Sequence, residues 1–158
     1  MLILKNGGLK DENIIVFMYD DIVFNEATRG RELLLTSRGG PNVYQGVPKD
    51  YNRENVTTQK NFSVLLANRS VLTGGSGKVL DSGPDDTIYY SDHGSKGRVG
   101  MPTGKMKAKD FIDVLKKKHE ERSYAQMVIY GSVYAGSMFE NLLPEDWNIY
   151  VTTALQFK

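Results

Sequence analysis

The sequence predicts an α/β protein whose central sheet is mostly parallel. Four apolar runs carry this prediction, at residues 13–19, 88–90, 125–130 and 148–154. Runs that are apolar at successive positions are typical of strands buried on both faces, which occur mainly in parallel sheets. Helical patterns alternate with these runs, and this order indicates a three-layer α/β/α arrangement.

The first half of the chain supplies a strand, a long loop and a helix. Residues 5–9 are typical of a helix end with glycine at its cap, and the strand at 13–19 follows them. Residues 25–51 are rich in Gly, Pro and Arg, which predicts a loop. Thr57 opens a helical pattern, and the glycines within 74–77 then predict a turn.

The second half contains the clearest helical pattern, over residues 108–122, because its apolar residues share one side. The lysines at 116–118 are interpreted as a solvated face of this helix. His119 is interpreted as a surface residue that suits the negative end of the helix dipole. We expect a loop at 95–102, and a short helix at 138–144 before the last strand.

Composition bounds the remaining possibilities. The chain has 158 residues, which predicts a single domain over 1–158, and a formal net charge of +1. That charge gives no reason to expect nucleic acid or an anionic membrane as partner. No apolar run approaches the roughly 20 residues of a membrane span, and no signal peptide begins the chain, so we expect a cytoplasmic protein if it is made as written. Cysteine is absent, which excludes disulfides and thiolate metal sites, and we expect no metal or cofactor.

Two of the predicted strands are followed directly by small polar residues. The run at 88–90 breaks into Ser-Asp-His-Gly at 91–94, and the run at 125–130 breaks into a polar, glycine-containing stretch at 131–137. In open α/β sheets, ligands bind outside the carboxyl ends of the strands. We therefore expect one cleft built from these two loops, with His93 as a candidate acid or base.

Six separated segments resemble the legumains, the asparaginyl endopeptidases of caspase-like fold, and most of all the plant vacuolar processing enzymes. The segments are residues 13–22 (NIIVFMYDDI), 43–51 (VYQGVPKDY), 74–84 (GGSGKVLDSGP), 89–94 (YYSDHG), 113–119 (DVLKKKH) and 148–154 (NIYVTTA). The resemblance spans nearly the whole chain. It implies a caspase-like three-layer α/β/α sandwich, incomplete here, because the family's first strand would precede Met1 and its last segment would follow Lys158.

The resemblance also implies roles for the first of the two loops. The family is a group of cysteine proteases that cleave after Asn, and their base is the His of a Tyr-Ser-Asp-His-Gly motif. That His is His93 here, and the following Gly94 would supply a backbone N–H to the oxyanion hole. Asp92 matches the Asp of the same motif. Acyl transfer needs a base near the nucleophile and donors aimed at the developing oxyanion, and a His-Gly pair at a strand end can supply both.

The second loop departs from the family. Where the pattern is Glu-Ala-Cys-Glu-Ser-Gly-Ser, this chain is one residue short, and Tyr134 is the nearest equivalent of the nucleophilic Cys. A phenol with a pKa near 10 ionises far less readily than a thiol near 8.5. Ser132 and Ser137 are possible replacement nucleophiles with His93 as their base.

Three hypotheses follow. The chain is a legumain-like protein that keeps the base and has lost the nucleophile, or an active peptidase that acts on a peptide or protein substrate. Alternatively, it is a non-catalytic module that binds peptides or full-length relatives. The family resemblance implies a vacuolar or lysosomal location, which is where the family acts.

Overall fold

The computed structural model describes residues 2–21, 40, 42–81, 83, 85–121, 123–131 and 135–154. It divides into two compact units, a first unit of residues 1–56 with 73–78 and a second unit of 57–72 with 79–158. The single domain predicted from the sequence stays a prediction. The helices are α1 Leu2–Asn6, α2 Thr58–Leu65 and α3 Ala108–Glu120. The strands are β1 Phe17–Met18, β2 Tyr51–Asn52, β3 Asp85–Tyr89, β4 Gly94–Ser95, β5 Arg98–Met101, β6 Gly104–Lys107, β7 Gln126–Gly131 and β8 Ile149–Thr153.

The first unit holds a short parallel pair. β1 pairs with β2, so the strand predicted at 13–19 is present and parallel but only two residues long. The Asp50 carboxylate explains where pairing stops, because it accepts the backbone N–H of Val16 at 2.9 Å in place of a strand partner. The helix end predicted at 5–9 is confirmed by α1. Most of the loop predicted at 25–51 lies outside the described residues.

Gly75 fixes the turn predicted at 74–77. Its φ is +75°, and a Cβ atom there would lie 2.6 Å from the Asp50 carbonyl oxygen and from the Tyr51 ring. Only glycine fits a left-handed conformation this close to backbone. Tyr51 is fully buried, stacks on Phe17 with ring centroids 4.5 Å apart, and donates its hydroxyl to the Lys78 carbonyl at 2.6 Å.

In the second unit both predicted helices are confirmed. The Thr57 side chain caps α2 by accepting the Lys60 N–H at 3.2 Å. α3 buries its apolar side, and its Phe111 ring stacks on Phe62 of α2 with centroids 6.3 Å apart. This contact joins the two helices over the core.

The parallel sheet of the second unit has the order β3-β7-β8, with β7 in the centre. Met127 and Ile129 of β7 are buried, as expected for a central strand. The strand predicted at 88–90 is present as part of β3, but its predicted burial is wrong, because Tyr89 is 78 % exposed and only Asp86 of β3 is buried. The cross-strand partner of Tyr89, Tyr130 on the central strand β7, is also exposed, at 44 %, so the exposure belongs to the sheet face that the two tyrosines share.

Residues 94–107 form an antiparallel meander of β4, β5 and β6, which corrects the loop expected at 95–102. A two-residue turn at 96–97, with Gly97 at a φ of +68°, joins β4 to β5. Val99 and Met106 are cross-strand partners and both are buried. Alternation of charged and apolar residues around Pro102 is the hairpin signal that the sequence prediction missed.

Lys118 is the main correction on α3. The lysines at 116–118 were expected to be solvated, but Lys118 is only 2 % exposed. Its Nζ lies 3.5 Å from Oδ2 of buried Asp86 and donates to the Leu65 carbonyl at 3.1 Å. Loss of hydration lowers the pKa of Lys118, while Asp86 opposes that effect.

Two further expectations need correction. His119 is half-buried rather than on the surface, since its ring stacks on Trp147 with centroids 5.5 Å apart. The short helix predicted at 138–144 is absent, and 3-10 turns at Gly136–Met138 and Glu145–Trp147 take its place. The last strand, predicted at 148–154, is confirmed by β8. Among the described residues no helix has both the length and the apolar character needed to cross a membrane.

Candidate active site

The register of the parallel sheet brings the two predicted loops to neighbouring positions. Tyr89 of β3 is the partner of Tyr130 of β7, and the Tyr90 N–H donates to the Tyr130 carbonyl at 2.9 Å. The chain therefore leaves the same edge of the sheet at 91 and at 131. This is the carboxyl edge, where ligands bind in parallel α/β sheets.

A hydrogen bond joins the two loops beyond that edge. The backbone N–H of Gly97, in the turn of the meander, donates to Oγ of Ser137 at 3.0 Å. Ser137 is partly buried, and as acceptor in this bond its hydroxyl keeps its own proton to donate elsewhere. The bond ties the segment after β7 to the segment after β3.

The backbone around His93 is held on both sides. The His93 N–H donates to Oδ1 of Asp92 at 2.6 Å, and the His93 carbonyl accepts the Gly100 N–H at 2.7 Å. The imidazole itself is exposed at the start of the meander. Asp92 therefore accepts a hydrogen bond from the backbone of His93. Its carboxylate also lies over Gly100, and a Cβ atom added to Gly100 would be 3.1 Å from the Asp92 Oδ2 atom.

The Gly94 N–H points away from the meander. Hydrogen-bonded and non-hydrogen-bonded pairs alternate along an antiparallel ladder. Because Gly100 donates to His93, the next pair, Gly94 with Val99, is the non-hydrogen-bonded kind. The Gly94 N–H therefore lies on the side of β4 opposite to β5, a direction in which it can donate to another group.

Tyr90 is a residue near the site that sequence reasoning missed. Its hydroxyl donates to the Gly100 carbonyl and lies 3.1 Å from the Met101 sulfur, so it joins the end of β3 to β5. Burial raises the pKa of Tyr90 above its usual range, and the negative charge of Asp92 raises it further. Tyr90 is therefore a neutral donor, and no sequence signal distinguishes it from its neighbour Tyr89.

A surface recess of about 280 Å³ lies between β8 and the segment that follows β7. It is lined by Gly136, Phe139, Glu140, Val151 and Thr153. Its walls combine an aromatic ring, two aliphatic or methyl-bearing side chains and one carboxylate.

Ser132 and Tyr134 lie outside the described residues. The predicted proximity of His93 to Tyr134 therefore stays a prediction, as do the site roles given to His93, Gly94, Asp92, Ser132 and Ser137. Within the described ranges no three His, Cys, Asp or Glu side chains group as ligands for a metal ion.

Comparison with known proteins identifies the family. The model of the Peptidase C13 family matches residues 1–157. A vacuolar-processing enzyme of Citrus sinensis is 55% identical over 156 residues, which cover 96% of this chain and 32% of the relative. The delta-isozyme of Arabidopsis thaliana is 51% identical over 160 residues, 99% of this chain and 34% of the relative. Legumain of Canavalia ensiformis is 51% identical, over 96% of this chain and 33% of the relative.

The chain thus spans about a third of the length of the curated relatives it matches. The residues matched by the family model include both loops of the carboxyl edge. The resemblance inferred from six short segments is confirmed. The chain belongs to the Peptidase C13 family, the family of legumain and the vacuolar-processing enzymes.

Proposed function

We propose that this chain is a legumain homologue that binds polypeptide at the carboxyl edge of its parallel sheet without hydrolysing it. The observation that carries the proposal is the absence of cysteine from all 158 residues of a cysteine-peptidase homologue. The family reaction is endopeptidase cleavage after Asn by a cysteine thiolate. Without a thiolate, the base and the oxyanion donor have no nucleophile to serve.

Tyr134 is a poor substitute for the lost thiol. Its phenol ionises near pH 10, whereas a cysteine ionises near 8.5 and falls lower beside a base. A neutral phenol at pH 7 is a weak nucleophile, and an aryl ester that formed would occupy more space than a thioester. We therefore assign the position of Tyr134 to the lost nucleophile and no catalytic step to Tyr134 itself.

Retention of the remaining parts supports peptide binding. His93 precedes the meander with its imidazole exposed, the Gly94 N–H points away from β5, and a recess lies between β8 and the segment after β7. These are a polar side chain, a backbone donor and a concave surface on one unit. In this proposal the unit is the core of a caspase-like three-layer sandwich. The names of the relatives support a vacuolar place of action for the whole protein.

The first experiment measures hydrolysis and binding together. A fluorogenic peptide with a single Asn is incubated with the chain and with His93→Ala, and binding of the uncleaved peptide is followed by fluorescence anisotropy. We expect saturable binding and no release of fluorophore above the background of the assay. Release by the chain that is lost in His93→Ala would overturn the proposal.

A second experiment tests the position of the lost nucleophile. Because the chain has no cysteine, Tyr134→Cys introduces one thiol whose alkylation by iodoacetamide can be followed alone. If His93 lies beside it, the imidazolium lowers the thiol pKa, and alkylation at pH 6.5 should be about tenfold faster than in Tyr134→Cys with His93→Ala.

Gln126→Cys is the matched control, since Gln126 is exposed at the amino end of β7, away from the carboxyl edge. Its alkylation should not change when His93 becomes Ala. Equal rates for Tyr134→Cys with and without His93 would show that the two positions are apart.

A serine peptidase is the second candidate function. The observation that favours it is that Ser137 Oγ accepts the Gly97 N–H, so that its proton is available to a base. This candidate predicts hydrolysis that survives Tyr134→Phe and is lost in Ser137→Ala or in Ser132→Ala. The same peptide assay decides between the two candidates.

A further inference from the structure

The meander carries a concentration of positive charge that the proposed function does not use. Five cations lie between Asp92 and Asp110, with no Asp or Glu among them. They are Lys96, Arg98, Lys105, Lys107 and Lys109, which we call the cationic face, and all five are exposed. The rest of the chain has 15 Lys and Arg against 19 Asp and Glu, so the positive charge is local.

Strand pairing brings the central members of the cationic face together. Arg98 of β5 is the cross-strand partner of Lys107 of β6, and Lys105 pairs with Gly100, which has no side chain. Directly opposite residues have Cβ atoms about 5 Å apart, and like charges in such a pair are destabilising. The Arg98 Nε donates to Ser95 Oγ at 3.0 Å, which holds the guanidinium over the sheet.

Protection of a sheet edge explains only part of this arrangement. Lysines on edge strands prevent pairing with other chains, and Lys105 and Lys107 lie on edge strand β6. Arg98 lies on the central strand β5, and Lys96 lies in the turn before it. Edge protection gives no reason for a cation at either of these two positions.

Acidic groups near the cationic face leave it mostly unneutralised. The Asp92 carboxylate lies over Gly100 on the same side of β5 as Arg98, and Asp110 is exposed in the first turn of α3. No carboxylate of the described residues forms an ion pair with any of the five cations. Lys107 and Lys109 also stand at the positive end of the α3 dipole, where a cation is unfavourable.

We propose that the cationic face binds an acidic segment of a polypeptide. Charge complementarity requires an anionic partner, and the absence of Phe, Tyr and Trp from 93–109 argues against single-stranded nucleic acid, whose bases stack on such rings. The face also continues from the proposed peptide cleft, since β4 begins at Gly94, immediately after His93. A polypeptide held at the carboxyl edge can therefore place Asp or Glu residues on the meander.

The inference rests on the proposed function for this path of the polypeptide. The inference and the proposed function can fail separately, because hydrolysis and cleft binding are tested with an uncharged peptide that contains Asn. The cationic face is tested with an oligoglutamate peptide, which contains no Asn.

The experiment measures binding of a fluorescein-labelled oligoglutamate peptide to the purified chain at low and at physiological ionic strength. We expect affinity to fall about tenfold in the double variant Arg98→Glu, Lys107→Glu, and to fall with added salt in the unchanged chain. The matched control is Lys116→Glu, Lys117→Glu, which makes the same charge change at exposed lysines of α3. The control should change affinity by less than about twofold. Circular dichroism verifies that both variants fold.

Three results would overturn the proposal. The first is an equal loss of affinity in the two double variants, which would mean a response to net charge alone. The second is no loss in either variant. The third is tighter binding of oligothymidylate than of oligoglutamate, which would identify nucleic acid as the partner.

Discussion

The second unit contains two three-stranded sheets whose charged side chains lie in opposite environments. The parallel sheet β3-β7-β8 buries one charged pair, Asp86 with Lys118, beneath apolar side chains. The antiparallel meander β4-β5-β6 exposes its cations and places two of them, Arg98 and Lys107, opposite each other. One sheet pairs its charges inside the fold, and the other leaves like charges together at the surface.

This difference separates structural from functional charge. A buried ion pair cannot be broken without a large loss of stability, so its position is dictated by the fold. Exposed like charges contribute nothing favourable to the fold and are more readily explained by a partner. We therefore expect substitutions in the parallel sheet to change the free energy of unfolding, and substitutions on the meander to change binding.

The largest effect is expected from Lys118→Met. The substitution leaves the Asp86 carboxylate buried and unpaired, and it removes the hydrogen bond to the Leu65 carbonyl. We expect the free energy of unfolding to fall by about 3–5 kcal/mol, measured by urea denaturation.

The double variant Asp86→Leu, Lys118→Met is the matching control, because it removes both charges. It should recover most of that stability, since apolar replacements of both partners in buried pairs are often neutral or stabilising. A double variant no more stable than the single one would mean that the pair is not the source of the loss.

A smaller effect is expected where the parallel sheet meets the site. Gly131 ends β7, and a Cβ atom there would lie 2.9 Å from the Thr153 methyl carbon, closer than real contacts allow. Gly131→Ala should lower the free energy of unfolding by about 1–3 kcal/mol through overpacking.

Thr153→Ser removes that methyl group, so the double variant should regain most of the stability lost in Gly131→Ala. Failure of this rescue would place the strain elsewhere, against the Ala135 Cβ atom at 3.4 Å. Both variants are compared by urea denaturation at one temperature.

Tyr90 links the two sheets, and its removal should have a moderate effect that depends on pH. Tyr90→Phe loses the hydrogen bond to the Gly100 carbonyl, which contributes about 1 kcal/mol at pH 7. Because burial raises the pKa of Tyr90, the unfolded phenol ionises first, near pH 10. The folded state therefore loses stability as the pH rises above about 10.

Tyr90→Phe has no phenol to ionise, so it should lose less stability than the unchanged chain between pH 9 and 11, and the gap seen at pH 7 should narrow. Tyr150→Phe is the control, because the Tyr150 side chain is 59 % exposed and meets water before unfolding. Parallel stability curves for Tyr90→Phe and the unchanged chain would contradict this account.

The sequence predicted the elements whose pattern is local. Helix α3 and the strands β7 and β8 follow from the periodicity of apolar residues, and the Thr57 cap marks the start of α2. The family resemblance also came from short ordered motifs. Parallel strands alone place both loops at the carboxyl edge of the sheet. The register between β3 and β7 confirms that the two loops begin at neighbouring positions.

Features that depend on tertiary contacts were not predictable. Helical spacing places Lys118 on the apolar side of α3 with Phe111 and Leu115, but only the structure shows that buried Asp86 lies opposite it. Tyr89 is exposed on a sheet face that it shares with exposed Tyr130, and no pattern within the strand shows which face is covered. The meander was missed because Gly97, Gly100 and Gly104 look like loop residues, although they serve its turns and its contact with Asp92.

The smallest expected effect is a gain of stability on the meander. Lys107→Gln removes the like charge opposite Arg98 and a cation at the positive end of the α3 dipole. Removing each of these two unfavourable interactions is worth a few tenths of a kcal/mol. We therefore expect the free energy of unfolding to rise by about 0.5 kcal/mol at low salt. Lys117→Gln, at the opposite end of α3, should change it in the other direction, because a cation is favourable there.

Both changes should vanish in high salt, which screens exposed charges. Lys107→Gln should at the same time weaken binding of oligoglutamate, although the folded state has become more stable. Loss of stability in Lys107→Gln would mean that Lys107 supports the fold, and the contrast between the two sheets would then fail. A gain in stability together with weaker binding of oligoglutamate is the result expected if Lys107 serves a binding partner rather than the fold.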